Sequence, residues 1–261
     1  MKEREPKRRY PYIAVVGAAG TGKSKLTELM VESFGVESFK EDFQPNPHLP
    51  KFYFEDPFKH AFNSQMFFLT EEAKQMPTLW SLLRYRPVVH DQAIEGDDFF
   101  ETALRLLGFI SELDHKTYKL CFRTLMRGNY LPRPDIYIGV IASQESVVRR
   151  IVERKRDMEL AMHEKFPLYF PTIAHKFGKW LELLTRQHPV ILIDTDKWDF
   201  VNDPHSRNFV LQEIRNRASR LLTDPNQVNL LGREGARLIL PDFLKSEQPF
   251  SNPVSEKQVT L

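Results

Sequence analysis

Five short apolar or β-branched runs, at 12–17, 38–41, 87–91, 135–141 and 190–194, alternate along the chain with longer stretches whose apolar residues recur three and four positions apart. Short apolar runs bounded by polar residues read as strands, and the three-to-four spacing reads as helices with one buried face. Strict alternation of the two predicts an α/β fold, with parallel strands in a five-stranded sheet joined by crossover helices. The first helix starts at Gly22 and runs through Leu26, Leu29 and Met30. The second, about 57–85, carries Phe58, Phe62, Met66, Leu69 and Ala73 on one stripe. Further helices are predicted at about 95–127 with a break near Leu113 and Asp114, then at 143–156, 171–186 and 206–222. The cluster Thr223, Asp224, Pro225 and Asn226 stops the last of them. Beyond it, Pro241, Pro249 and Pro253 interrupt any period, and 236–240 is the one run that could add an edge strand.

Composition narrows this frame. Hydrophobic residues make up 41% and charged residues 28% of the 261 positions, which is enough apolar material for a packed core. The expected organisation is a basic, disordered tail at 1–9, a folded domain at 10–222 and an extension of unassigned role at 223–261. No apolar run approaches the ~20 residues needed to cross a bilayer, and no signal-peptide pattern follows the basic start. Cys121 is the single cysteine, so no internal disulfide forms, and a reducing, cytoplasmic setting is expected. A formal charge of +2 does not suggest a surface that coats nucleic acid, so neither a nucleic-acid polymer nor a membrane is an expected partner.

The segment Gly17, Ala18, Ala19, Gly20, Thr21, Gly22, Lys23, Ser24 fits GxxxxGKS, and it sits between an apolar strand and an amphipathic helix as that motif requires. Backbone N–H groups of such a loop and the positive end of the helix dipole surround a triphosphate. Lys23 is expected to reach the β- and γ-phosphates and the Ser24 hydroxyl to ligate Mg2+, with ATP as donor. The fold expectation thereby sharpens to a P-loop NTPase-type three-layer architecture. The guanine-reading NKxD element of GTPases is absent, and the chain is short for a motor ATPase with its sensor elements. A small-molecule kinase is the favoured class.

From Glu41 onward the chain resembles the deoxyribonucleoside kinase family. The resemblance rests on Glu41 at the end of the second strand, Asn46 to Leu49 as NPxL, Gln65 to Leu69 as QxxFL, and HDQAIEGDDFF from His90 to Phe100. It continues through RPDIYIGV from Arg133 and RIVERKRDME from Arg150, the latter similar to the family's arginine-rich lid, and spans about residues 10–220. The resemblance implies that Glu41 is the base for the acceptor's 5′-hydroxyl, that Arg154 and Arg156 close over the phosphates, and that Arg150 contacts the donor. It also implies Asp91 as a magnesium ligand or water-holder, Gln65 and Asp97 as base contacts, and Glu159 as a contact for the sugar 3′-hydroxyl. A homodimer is implied on the same ground. Phe58, Phe67, Phe68, Phe99 and Phe100 are candidates for a stacking wall.

Three positions depart from the family pattern. Gln92 stands where its (D/E)RS motif has arginine, Glu72 stands where arginine follows the glutamine by seven residues, and Phe54 stands where a tyrosine precedes the xDP turn. The acceptor half therefore reads as altered and the donor half as intact. Phosphorylation of a nucleoside is the leading expectation. A thymidylate-type monophosphate kinase, with Arg84, Arg86 or Arg123 holding the acceptor phosphate, is one alternative. A non-catalytic nucleotide-binding subunit is the other.

Overall fold

The computed structural model describes residues 10–40, 46–127 and 131–223. Glu41, on which the expectation of a catalytic base falls, and the extension beyond residue 223 lie outside the described residues. The described chain forms β1 (Tyr12–Gly17), α1 (Lys23–Phe34), β2 (Glu37–Lys40), α2 (Leu49–Phe54), α3 (Pro57–Leu82), β3 (Val88–Asp91) and α4 (Ile94–Leu106). It continues through α5 (Glu112–Arg127), β4 (Ile136–Ile141), α6 (Gln144–Arg154), α7 (Asp157–Lys165), α8 (Tyr169–Leu184), β5 (Val190–Asp194) and α9 (Pro204–Thr223).

The five strands form one all-parallel sheet in the order β2-β3-β1-β4-β5. Its registers bring Gly17 beside Val140, Lys40 beside Asp91, and Ile141 beside Asp194, so the motif-bearing strand ends share one edge of the sheet. A strand buried on both faces needs apolar residues at successive positions, and β1 shows the consequence. Ile13 and Val15 point into a cluster with Leu26, Met30, Val210 and Ile214 from α1 and α9. Ala14 and Val16 point the other way, into a cluster with Phe99, Phe170, Phe177 and Leu181 from α4 and α8. A third cluster packs Leu69, Met76, Leu79 and Tyr118 of α3 and α5 against Tyr12, Phe39 and Val88.

The sheet follows the sequence reading closely, with β2 one residue earlier than expected. The helical stretches differ in three places. The expected break near Leu113 and Asp114 lies earlier: Gly108 takes φ 83 after α4, and the Ser111 hydroxyl accepts from the Asp114 N–H at 3.1 Å to start α5. The stretch 143–156 stops at Arg154, because Lys155 adopts a left-handed turn (φ 51) and a separate helix, α7, follows. The six-residue α2 was not anticipated. Helix α3 carries Pro77 inside it and begins with Asp56 accepting from the Phe58 N–H at 3.0 Å.

Candidate active site

The strand-to-helix turn after β1 is built for an anion. Gly22 precedes α1 in a left-handed conformation (φ 101), and a Cβ there would meet the Phe200 ring at 3.4 Å, so only glycine keeps the loop open without strain. Thr21 closes the loop from within, its hydroxyl donating to the Ala18 carbonyl at 2.8 Å. Arg150 braces it from outside, donating to the Gly20 carbonyl at 3.4 Å and to the Thr195 hydroxyl and carbonyl at 2.7 and 3.0 Å. The first-turn N–H groups of α1 have no intrahelical acceptor, which leaves them and Lys23 to face a negative ligand.

A cavity of about 430 Å3 opens from this loop. Its wall includes Ala18, Ala19, Gly20, Gly22, Lys23, Ser24 and Lys25 from the loop and α1, and Asp91 and Gln92 from the end of β3. On its other side it includes Tyr53, Gln65, Phe68, Asp97, Phe100 and Tyr169, and from the end of α6 to α7 Arg154, Arg156 and Glu159. Most of the residues singled out from sequence therefore share one space. Gly17 and Thr21 stand behind it as buried parts of the loop, and Arg150 contributes through its bonds to the loop backbone. Asn46 of the NPxL segment ties the entry to α3, its amide donating to the Ser64 hydroxyl at 3.2 Å.

Both the sequence profile and the tertiary structure have relatives of known type. The deoxynucleoside kinase profile matches residues 13–219. The chain belongs to the deoxynucleoside kinase family. A deoxyadenosine/deoxycytidine kinase of Bacillus subtilis is 29% identical over 203 residues, covering 77% of this chain and 90% of the relative. A deoxyguanosine kinase of the same organism is 30% identical, covering 73% and 89%. Among solved structures, a deoxyadenosine kinase from M. mycoides with bound dATP superposes with a TM-score of 0.67 at 22% identity over 79% of this chain and all of that one. That superposition speaks to the fold.

Two of the arginines on the cavity wall are held by one carboxylate. Arg154 donates through both Nε and Nη2 to the two carboxylate oxygens of Glu159, and Arg156 Nη1 lies 3.7 Å from the same group. The bidentate contact fixes the guanidinium at the cavity wall, and a phosphate would have to compete with Glu159 for it. The left-handed turn at Lys155 lets Arg154, ending α6, and Glu159, in the first turn of α7, face each other.

The acceptor half needs correction at one position. Phe54 is 46% exposed and absent from the cavity wall, while its neighbour Tyr53 lines the cavity with Tyr169 and Glu159. A phenol hydroxyl thus reaches the cavity wall one residue earlier, because adjacent positions of helix α2 point in different directions. Burial and then the Glu159 charge raise the Tyr53 phenol, so it stays a neutral donor. Gln92 does line the cavity, and its side chain lies across the first turn of α4, where a Cβ on Gly96 would fall 2.5 Å from its amide nitrogen. A side chain at Gly96 would force the Gln92 side chain to move. Of the stacking candidates, Phe68 and Phe100 reach the cavity, whereas Phe58 is exposed and Phe99 packs on Phe177 and Trp180. Sequence reading missed Tyr53, Ser64 and Tyr169 as lining residues; their spacing carries no period of its own.

Proposed function

We propose that the chain transfers the γ-phosphoryl group of ATP to the 5′-hydroxyl of a deoxynucleoside. The observation carrying this reading is that one cavity joins the phosphate loop, with Lys23 and Ser24, to a second set of groups suited to a base and sugar: Gln65, Asp97, Tyr53 and Phe100. The loop fits a triphosphate, since Gly20 and Gly22 have positive φ and line the cavity together with Lys23 at the start of α1. Ser24 and Asp91 supply hard oxygen donors on the same wall, which suits a magnesium ion that takes its remaining ligands from phosphates and water. When bound, the ion would neutralise charge on the phosphate oxygens.

The chain's own groups then divide the work. Lys23 would hold the β- and γ-phosphates, and Arg154 and Arg156 would meet the negative charge on the transferring group. Gln65, Asp97 and the rings of Phe68 and Phe100 would orient the base. Tyr53 and Glu159 would fix the sugar, placing the 5′-hydroxyl for in-line attack. Glu41, which follows Lys40 in the chain next to the strand register shared with Asp91, would accept the hydroxyl proton.

The monophosphate-kinase alternative loses support, because Arg84, Arg86 and Arg123 are absent from the cavity wall and Arg86 pairs with Glu37 at 2.8 Å. Incubation with ATP, magnesium and each deoxynucleoside or its monophosphate, followed by phosphorus NMR, tests the reading. A 5′-monophosphate formed from a nucleoside supports it. Diphosphate formed only from monophosphates would replace it with the alternative, and nucleotide binding without transfer to any acceptor would favour a non-catalytic subunit. We also infer a homodimer from the family resemblance, which light scattering measures directly.

A further inference from the structure

At one end of the cavity Asp97 is accompanied by two further acids with buried carboxyl oxygens, Glu72 and Glu95, to which no part in the transfer has been given. Asp97 lines the cavity from α4, beside Gln65 of α3. Glu72 follows Gln65 by seven residues on α3, two turns along the same face. It is 2% exposed, and neither of its carboxyl oxygens has a hydrogen-bond partner. Glu95, in the first turn of α4, is also near, and its Oε2 is buried without a partner. Among the described residues, the charged and titratable groups near these acids are Asp98 from α4, Lys23 at the phosphate loop, Arg133 and Tyr137 near Glu95, and the His90 ring of β3, 3.6 Å from Glu72. Family relatives carry a cation at the Glu72 position by the motif comparison above, and here it is a third acid. Like charges crowded together in a buried site are relieved by keeping protons.

We propose that the Glu72–Asp97 pair meets its acceptor uncharged, so that Asp97 offers the base a hydroxyl donor beside a carbonyl acceptor, and that the site therefore selects an adenine or cytosine over guanine. This deepens the nucleoside-kinase reading and rests on it. The selection follows from edge chemistry. A carboxylic acid presents one donor and one acceptor side by side, which complements the N=C–NH2 edge shared by adenine and cytosine. A carboxylate presents two acceptors, which complements the HN–C–NH2 edge of guanine. Burial, then the charges of Glu95 and Asp98, push Asp97 up to about 8, while burial and then the charge of Asp97 raise Glu72 well above the usual carboxylate range. Asp97 therefore holds its proton at neutral pH and loses it as pH rises through about 8, with Glu72 shifted in the same direction.

Calorimetric binding of deoxyadenosine, deoxycytidine and deoxyguanosine to the full chain, below and above pH 8, tests this in the native protein and in Glu72→Gln and Glu72→Arg. Below pH 8 the native protein should bind deoxyadenosine or deoxycytidine about tenfold or more tighter than deoxyguanosine, since the wrong edge leaves a buried polar group unpaired. That ratio should shrink above pH 8. Glu72→Gln, a neutral isostere, should keep the preference below pH 8, whereas Glu72→Arg should ionise Asp97 and shift it toward guanine. Carboxyl 13C NMR, assigned with Asp97→Asn, should show Asp97 titrating far above the ordinary carboxylate range. Equal or tighter binding of deoxyguanosine by the native protein below pH 8, no binding of any of the three, ordinary titration of Asp97, or an unchanged ratio in Glu72→Arg would each overturn the proposal. Nucleosides bound with the expected preference but never phosphorylated would instead count against the kinase reading alone.

Discussion

Single residues carry the sharpest consequences. Lys23, Ser24 and the loop glycines were legible because GxxxxGKS fixes both their identity and their position between a strand and a helix. Tyr53 was not, since the orientation of the short helix α2 decides which of two adjacent aromatic residues faces the cavity, and spacing alone does not resolve that. The two positions are separable by experiment. Tyr53→Phe should raise KM for the nucleoside by about tenfold through loss of one buried hydrogen bond, while Phe54→Ala should leave KM within about twofold. Steady-state kinetics on both variants measures this, and the opposite ranking would remove Tyr53 from the acceptor site. For the proposed base, Glu41→Gln should lower kcat by about a hundredfold or more with ATP affinity nearly unchanged. Turnover near the native value in that variant would remove Glu41 from the mechanism.

At the scale of elements, the strands were legible because their runs are short, apolar and separated by helical periods. The helical breaks were harder. Helix α7 buries only Glu159 and Met162, so it shows no apolar stripe, and α2 is six residues rich in aromatic side chains. The start of α5 did have a signal, because Ser111 and Asp114 form a capping pair in which the serine hydroxyl also donates to the Asp114 carboxylate at 2.8 Å. Capping matters again at Asp56, which satisfies an otherwise orphaned N–H at the head of α3. Asp56→Ala should lower stability by about 1 kcal/mol in urea denaturation while leaving the m-value unchanged. A loss below about 0.3 kcal/mol would mean that water replaces the cap at no cost.

For the whole molecule, the parallel sheet gathers the ends of its strands along one edge, and the cavity opens there from the phosphate loop between β1 and α1 to the end of β3. The same burial that shapes the cavity makes its acids a load on the fold. Asp97 binds its proton more tightly folded than unfolded, so its contribution to stability is full below the ordinary carboxylate range and is lost as pH rises through about 8. Unfolding free energy should therefore fall between the ordinary carboxylate range and about pH 8 and level off above it, and Asp97→Asn should flatten that slope. What the sequence could not convey is this packing of acids, because Glu72, Glu95 and Asp97 come from two helices whose relative placement only the fold determines. The most direct test of the whole is whether ADP formation depends on a nucleoside. With ATP and magnesium held constant, adding deoxyadenosine or deoxycytidine should raise ADP release well above the ATP-only rate, with deoxynucleoside 5′-monophosphate formed in equal amount; ADP release that is the same with and without every deoxynucleoside would contradict it.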